Sequence, residues 1–164
     1  MAYQKLQVSQ ALKVAPSDTV HIPDPSTKVI SGTTDATTAN KLELSTATFL
    51  TDGIQTNAIV YNTTDNTAAY VTAIDSDTVL SVSVDIFATG EDFVIYNEAT
   101  IGAVLYVGVT GNASLLMSAL KDKPGTVTDN ATSFVGIAAG AFLPTQVVGV
   151  AATGTTATDI VALW

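Results

Sequence analysis

The chain has 164 residues, enough for one ordinary domain or two small ones. It contains no Cys and no Arg, and its formal net charge is -9. That composition excludes disulfide and thiolate chemistry, and it argues against nucleic-acid binding, which leans on Arg and on positive charge.

Only 13% of residues are charged, against about 25% in an average globular domain. Thr is the commonest residue, with 26 copies, and the apolar residues are mostly Ala and Val. Short Thr/Val/Ala runs punctuated by Gly suit a pleated surface better than a helix. A surface of Thr, Ser and Asn suits a protein packed against neighbours; a secreted β domain is the plainer alternative. No run of about 20 apolar residues occurs, so no membrane span is expected. The N-terminal MAYQKLQVSQ has no apolar signal-peptide core, so cleaved export is not expected.

The charge is unevenly placed. From Val29 to Glu98 there are ten acids and one base, Lys41, whereas the rest of the chain balances five acids with five lysines. This predicts two modules: a discontinuous neutral one, 1–28 and 99–164, and an acidic one, 29–98, inserted into it.

In chain order, Leu6, Val8, Leu12 and Val14 alternate loosely, as a strand or an extended arm would. Pro16-Ser17-Asp18 is a turn signal. Val20 and Ile22 bracket His21 in a short run, and Pro23-Asp24-Pro25 ends it. Ser31–Asn40 has no periodicity and reads as a loop. Lys41–Leu44, Thr46–Leu50, Ala58–Tyr61, Ala69–Ile74, Val79–Val84 and Phe93–Tyr96 read as strands. Turn signals fall between them, among them Asp52-Gly53, Asn62–Asn66 and Asp75-Ser76-Asp77. So many short strands in about 70 residues predict a small barrel, SH3-like first and OB-like second. In the neutral module, Val104–Val109 is a buried-type run ended by Thr110-Gly111-Asn112. Ala113–Leu120 is ambiguous: Leu115, Leu116 and Leu120 have helical spacing, yet the stretch is short, so a strand with a flexible loop is favoured. Thr132–Ile137, Gln146–Ala151 and Ile160–Trp164 complete the strands, with turns at 138–140 and 153–158. The expectation is an all-β chain with almost no helix: a small sandwich or barrel carrying an inserted barrel.

Candidate chemistry is sparse. His21 is the only histidine; as a general base it would need a nucleophile and an orienting group, and neither is evident. Asp75-Ser76-Asp77 and Glu91-Asp92 could offer oxygens to Ca²⁺ or form a glycosidase pair, but Asp in polar turns is expected for turn chemistry alone. Gly108-Val109-Thr110-Gly111 lacks the Lys and the helix of a phosphate loop. No enzyme activity and no cofactor or metal is therefore expected.

The succession Leu105-Tyr106-Val107-Gly108, Gly140-Ala141-Phe142-Leu143-Pro144 and Ala152-Thr153-Gly154-Thr155-Thr156 through Leu163 resembles the spike-base and head-decoration proteins of tailed phages and related gene-transfer particles. The Pro16-Ser17-Asp18 turn fits the same pattern. Leu50-Thr51-Asp52-Gly53 and Ile59-Val60-Tyr61-Asn62-Thr63-Thr64-Asp65 resemble small β modules of phage virion proteins. In that family the Leu-Tyr-Val-Gly strand closely follows the N-terminal strand, so the acidic segment stands as an insertion; this chain also departs from the family at 113–137, with a longer loop. The resemblance implies a structural virion protein without catalysis, made in the host cytoplasm. It would decorate or cement a capsid, bind the major capsid protein or a spike or fibre base, and self-associate as a trimer. Tyr3, Leu6, Phe142 and Trp164 are the candidate contact residues; Trp164 would either fill a neighbour's pocket or cap its own core. A host-glycan adhesin is the alternative, with Tyr61, Tyr70 and Tyr96 as its aromatic candidates.

Overall fold

The computed structural model describes residues 8–164. Strand takes up 46% of these residues and helix 6%. The strands are β1 (Ala11–Lys13), β2 (Lys28–Thr33), β3 (Lys41–Glu43), β4 (Ile59–Asn62), β5 (Thr67–Ile74) and β6 (Val79–Val82). They continue with β7 (Asp92–Tyr96), β8 (Ala103–Val109), β9 (Gly111–Met117), β10 (Thr132–Ile137), β11 (Ala141–Ala151) and β12 (Thr158–Leu163). One short helix, α1 (Val127–Asn130), precedes β10.

Two antiparallel six-stranded sheets result. The first runs β1-β12-β8-β11-β9-β10 and the second β2-β7-β4-β5-β6-β3. Among the described residues, every strand from 28 to 96 pairs within the second sheet. The second sheet is an open series with β2 and β3 at its edges, and it curls until one end of each meets: the Asp35 N–H donates to the Glu43 carbonyl at 3.2 Å.

Alternation explains which side chains go inside. On β8, Leu105 and Val107 point into the first core, where Leu115, Val147, Val150, Ile160 and Ala162 join them. On β6, Leu80 and Val82 point into the second core with Leu42, Phe49, Val60, Val71, Phe93 and Ile95. Phe93 centres that core, meeting Phe49 and Phe87 edge-to-face at 6.4 and 6.3 Å. A third cluster joins the sheets: Ile59, Tyr61, Ala68 and Tyr96, on the opposite face of the second sheet, close on Ala15 and Val20. Asn62, fully buried, holds the start of the following turn. Its side-chain oxygen accepts from the Thr64 and Asp65 amides, and its side-chain amide donates to Ile86 O and Glu91 Oε2.

The structure departs from the sequence reading in four places. Ser31–Thr33 belongs to β2 rather than a loop, because an exposed edge strand needs few apolar residues. Thr46–Leu50 is a turn: Thr48 O accepts from the amides of Thr51 and Asp52, and Ala47 and Phe49 are buried without a ladder. Val84, read as the end of a strand, lies past the end of β6 and is 46% exposed. β11 begins at Ala141 rather than at Gln146, so Phe142-Leu143-Pro144 lies inside it. Pro144 falls in the register break between Leu143 and Val147 on the β8 side, where the missing N–H does no harm. β11 thereby serves two partners: Ala141–Leu143 pair with β8 and Gly149–Ala151 with β9. The chain passes from β8 to β9 through Thr110 alone.

That corner depends on Gly111, where an added Cβ would lie 2.6 Å from the Ala157 Cα. The obstacle is backbone, so it cannot swing aside. Gly111→Ala should cost about 3 kcal/mol, the upper end for overpacking, read as a lower urea midpoint at unchanged slope. Asp18 ties three elements together. Its carboxylate accepts from Thr128 Oγ1 at 2.6 Å, the Thr153 amide at 2.8 Å and Thr153 Oγ1 at 2.7 Å. These bonds, that to Thr128 first, hold its pKa below the ordinary value. A depressed carboxyl stabilises the fold fully above about pH 4 and progressively less as pH falls through its native value. Asp18→Ala should therefore cost about 1–2 kcal/mol at pH 7, discounted for exposure. Urea melts of both proteins should converge toward about pH 2.

Candidate functional site

The first sheet has a second face, turned away from its core. Register aligns Lys13, Val161, Tyr106 and Phe142 across β1, β12, β8 and β11, and Ala11, Leu163 and Val104 in the neighbouring row. Phe142 is 62% exposed. Its ring leans on Tyr106 with centroids 5.3 Å apart and planes tilted by 58°. Phe142 thus stands up from an apolar strip, supported rather than buried. Lys13 bounds the strip and pairs with Asp159 at 3.1 Å.

The four predicted contact residues fare differently. Tyr3 and Leu6 lie outside the described residues. Phe142 is presented to solvent. Trp164 is turned inward: it packs half-buried against the first core, and its indole N–H donates to Thr100 Oγ1 at 2.8 Å. Its backbone exchanges hydrogen bonds with Gln10. Of the two roles open to Trp164, the cap on its own core is the one the geometry supplies. Tyr106 was missed from the sequence, since only the β8–β11 register sets it under Phe142.

The candidate glycan aromatics are not a surface platform. Tyr61 and Tyr96 are buried, with rings edge-to-face at 6.1 Å in the cluster between the sheets. Burial pushes the Tyr61 hydroxyl well above the ordinary phenol range. Tyr70 is half-buried beside them and bonds His21.

His21 sits in an extended segment, not in a strand. Its Nδ1 is 2.7 Å from the Tyr70 hydroxyl oxygen, which also accepts the His21 backbone N–H at 3.1 Å. Its ring borders an open cleft of about 240 Å³ with Thr100, Ile101, Lys121 and Asp122.

The acids of the second sheet serve turns. Asp75 accepts from Lys41 Nζ at 2.8 Å and from Ser81 Oγ at 2.7 Å, and these bonds, Lys41 first, lower its pKa. Asp77 accepts from the Leu50 amide, Glu91 from the Ala88 amide, and Asp92 from Thr33 Oγ1. Asp65 lies beside Glu91, whose negative charge raises its pKa. Among the described residues no three His, Cys, Asp or Glu side chains are grouped to hold a metal ion, and no helix is long and apolar enough to cross a membrane.

Compared with known proteins, the chain matches no family model, no curated protein and no solved structure.

Trp164 is the only tryptophan, so its fluorescence reports on this site alone. Emission from the native chain should be blue-shifted relative to the urea-unfolded chain. Trp164→Ala should cost about 2 kcal/mol, less than a fully buried ring. Because the cap is internal, that loss should not vary with protein concentration; a cost that grows on concentrating the protein would place the indole in a neighbour.

Proposed function

We propose that this chain is a structural protein of a tailed-phage virion that decorates and cements the capsid. The apolar strip topped by Phe142 carries the reading. A large aromatic held in the open by a second aromatic is costly for a lone soluble protein and suits the core of a contact. The first sheet bears that strip and is close to neutral, while residues 29–98, which form nearly all of the second, carry ten acids against Lys41 alone. The first sheet would therefore lie against the major capsid protein or the base of a spike or fibre. The second, residues 29–98, would project as an inserted module. The chain would act as a self-associated unit, a trimer at local three-fold positions, with neither catalysis nor cofactor. Apolar area buried at the contact contributes roughly 25 cal/mol per Å² before association costs, and many copies on one shell add avidity.

The test is quantitative mass spectrometry of purified particles, paired with a binding variant. Hundreds of copies per particle are expected. A dozen or so would move the chain to a spike or tail position, and none would end the virion reading. Phe142→Asp should leave the melting temperature of the isolated chain within a degree or two. It should weaken particle binding about 30-fold, the effect of losing about 2 kcal/mol at an aromatic anchor.

A further inference from the structure

The turn that carries Asp52-Gly53 is anchored on both sides and open at its tip. Phe49 and Ile54 are buried in the second core, whereas Thr51, Asp52 and Gly53 are exposed. Asn97, just past β7, clamps the far side. Its side-chain amide donates to Gly53 O at 3.0 Å, and its side-chain oxygen accepts the Gln55 amide at 3.1 Å. Asp52 is the only aspartate in the chain followed by glycine. Its carboxylate has one hydrogen-bond partner among the described residues, the Thr48 hydroxyl at 3.0 Å. Gly53 has φ +76°, a left-handed conformation that a residue without Cβ adopts freely. The same lack of Cβ leaves its nitrogen unshielded: beyond its chain neighbours, no atom lies within 4 Å of where a Cβ would stand. Among the described residues the Gly53 N–H donates no hydrogen bond.

We propose that Asp52-Gly53 is a modification site: the folded chain converts Asp52 spontaneously to isoaspartate, and the conversion releases the Asn97 clamp. The Gly53 nitrogen attacks Asp52 Cγ. An N–Cγ bond forms, the amide proton goes to solvent, and a carboxyl oxygen leaves as water, closing a cyclic succinimide. Water then adds back. Attack at Cγ restores aspartate. Attack at the main-chain carbonyl of Asp52 breaks its bond to the Gly53 nitrogen, which stays joined to Cγ. That product is isoaspartate, with a free α-carboxylate; one water leaves, one enters, and nothing is oxidised or reduced. The main chain is longer by one bond, about 1.5 Å, and the excess falls between two buried anchors, Phe49 and Ile54. Gly53 O is the group displaced, and it is the one Asn97 holds. Asp75 shows why the fold selects the site. It too precedes a small residue, but the Ser76 amide donates to Val79 O at 3.1 Å, and the Asp75 carboxylate is held by both Lys41 and Ser81. Its nucleophile and its electrophile are both engaged. The chemistry needs no partner and holds whatever surface the chain binds.

The full chain is aged at neutral pH and physiological temperature, folded or in urea, then labelled with protein isoaspartyl methyltransferase and mapped by peptide. The folded chain should gain label at residue 52 and none at residue 75. It should also lose cleavage before residue 52 by an endoproteinase that cuts at aspartate but not at isoaspartate. In urea, residue 75 should gain label as well, because its amide and carboxylate are set free. Asp52→Glu, an exposed change that leaves the fold intact, would have to close a larger ring, and its label at 52 should be lost. Converted chain, separated from the rest, should exchange the Gln55 amide about tenfold faster, the effect of losing one hydrogen bond, with β5 still protected. A folded chain that stays unlabelled at 52 while the urea sample gains label would overturn the site. So would equal label at residue 75 in the folded chain. Unchanged exchange at Gln55, or faster exchange throughout β4 and β5, would overturn the release of the clamp.

Discussion

The constraint behind this structure is that the second sheet must bury both of its faces. β4 is buried at all four positions: Val60 faces the Phe93 core, while Ile59 and Tyr61 face the other way. A six-stranded sheet this small cannot leave that second face wet, since Tyr61, Tyr96 and Ile59 together would expose a large apolar patch. The cover is not another sheet. It is the chain from Leu12 to Ile22, mostly irregular after β1, whose side chains divide between two cores: Val14 and Ile22 enter the first core, Ala15 and Val20 the cluster against the second sheet, and Leu12 touches both. The segment works as a two-sided wedge. Val14 and Ala15 are adjacent and extended chain alternates its side chains, so consecutive residues reach different partners.

This explains the density of turn chemistry around the wedge. Backbone groups taken out of water need partners even where no ladder supplies them. The Val14 amide finds Ile160 O, and the Ser17 amide finds Val150 O. Asn66 reaches across from the β4–β5 turn to donate to Val14 O at 3.1 Å. Asp18 then pins the turn to α1 and to the β11–β12 connection. The wedge is therefore fixed from the first sheet by backbone bonds, and from the second sheet mainly by apolar contact plus Asn66 and Tyr70. The second set is the weaker one, and the His21 ring belongs to it.

Much of the fold was legible because period-two alternation is a local signal. β5 and β6 announce themselves that way, β8 as a buried-type apolar run, and β10 and β12 as short runs between turn signals. The failures have one cause each. β2 is an edge strand of Ser, Gly and Thr, whose pairing with β7 is decided by a partner some 60 residues away. The Thr46–Leu50 run looks like a strand because Ala47 and Phe49 alternate, but Thr48 closes a hydrogen-bonded turn on Asp52. Pro144 argues for a turn unless the register break on β8 is known. α1 carried a local sign in its capping box, Thr126 with Asp129, yet it is one turn long and the flanking Lys and Gly masked it. The candidate contact residues could be listed from composition, but Tyr106 beneath Phe142 and Tyr70 against His21 are long-range neighbours that no spacing encodes.

The acid excess itself has an architectural origin. With no Arg and few Lys, the carboxylates of 29–98 find other donors: Asp35 takes the Ser45 amide, Asp85 the Asn40 amide, Glu43 the Thr38 hydroxyl and Asp52 the Thr48 hydroxyl. Among the described residues, only Asp75 pairs with a lysine there. A carboxylate accepting amide and hydroxyl protons satisfies a turn as well as an ion pair would, with shorter side chains and less entropy lost. The abundance of Thr and the abundance of Asp are then two sides of one solution for turning a short-stranded sheet without glycine-rich loops. Their charge accumulates on the second sheet because that sheet has the most turns. The first sheet, with longer strands and one long shared β11, needs fewer such turns and stays nearly neutral. The asymmetry that divides the sequence into two modules is thus in large part a record of how each sheet is turned, and the apolar strip on the first sheet, not the acid on the second, is the feature left without an internal explanation.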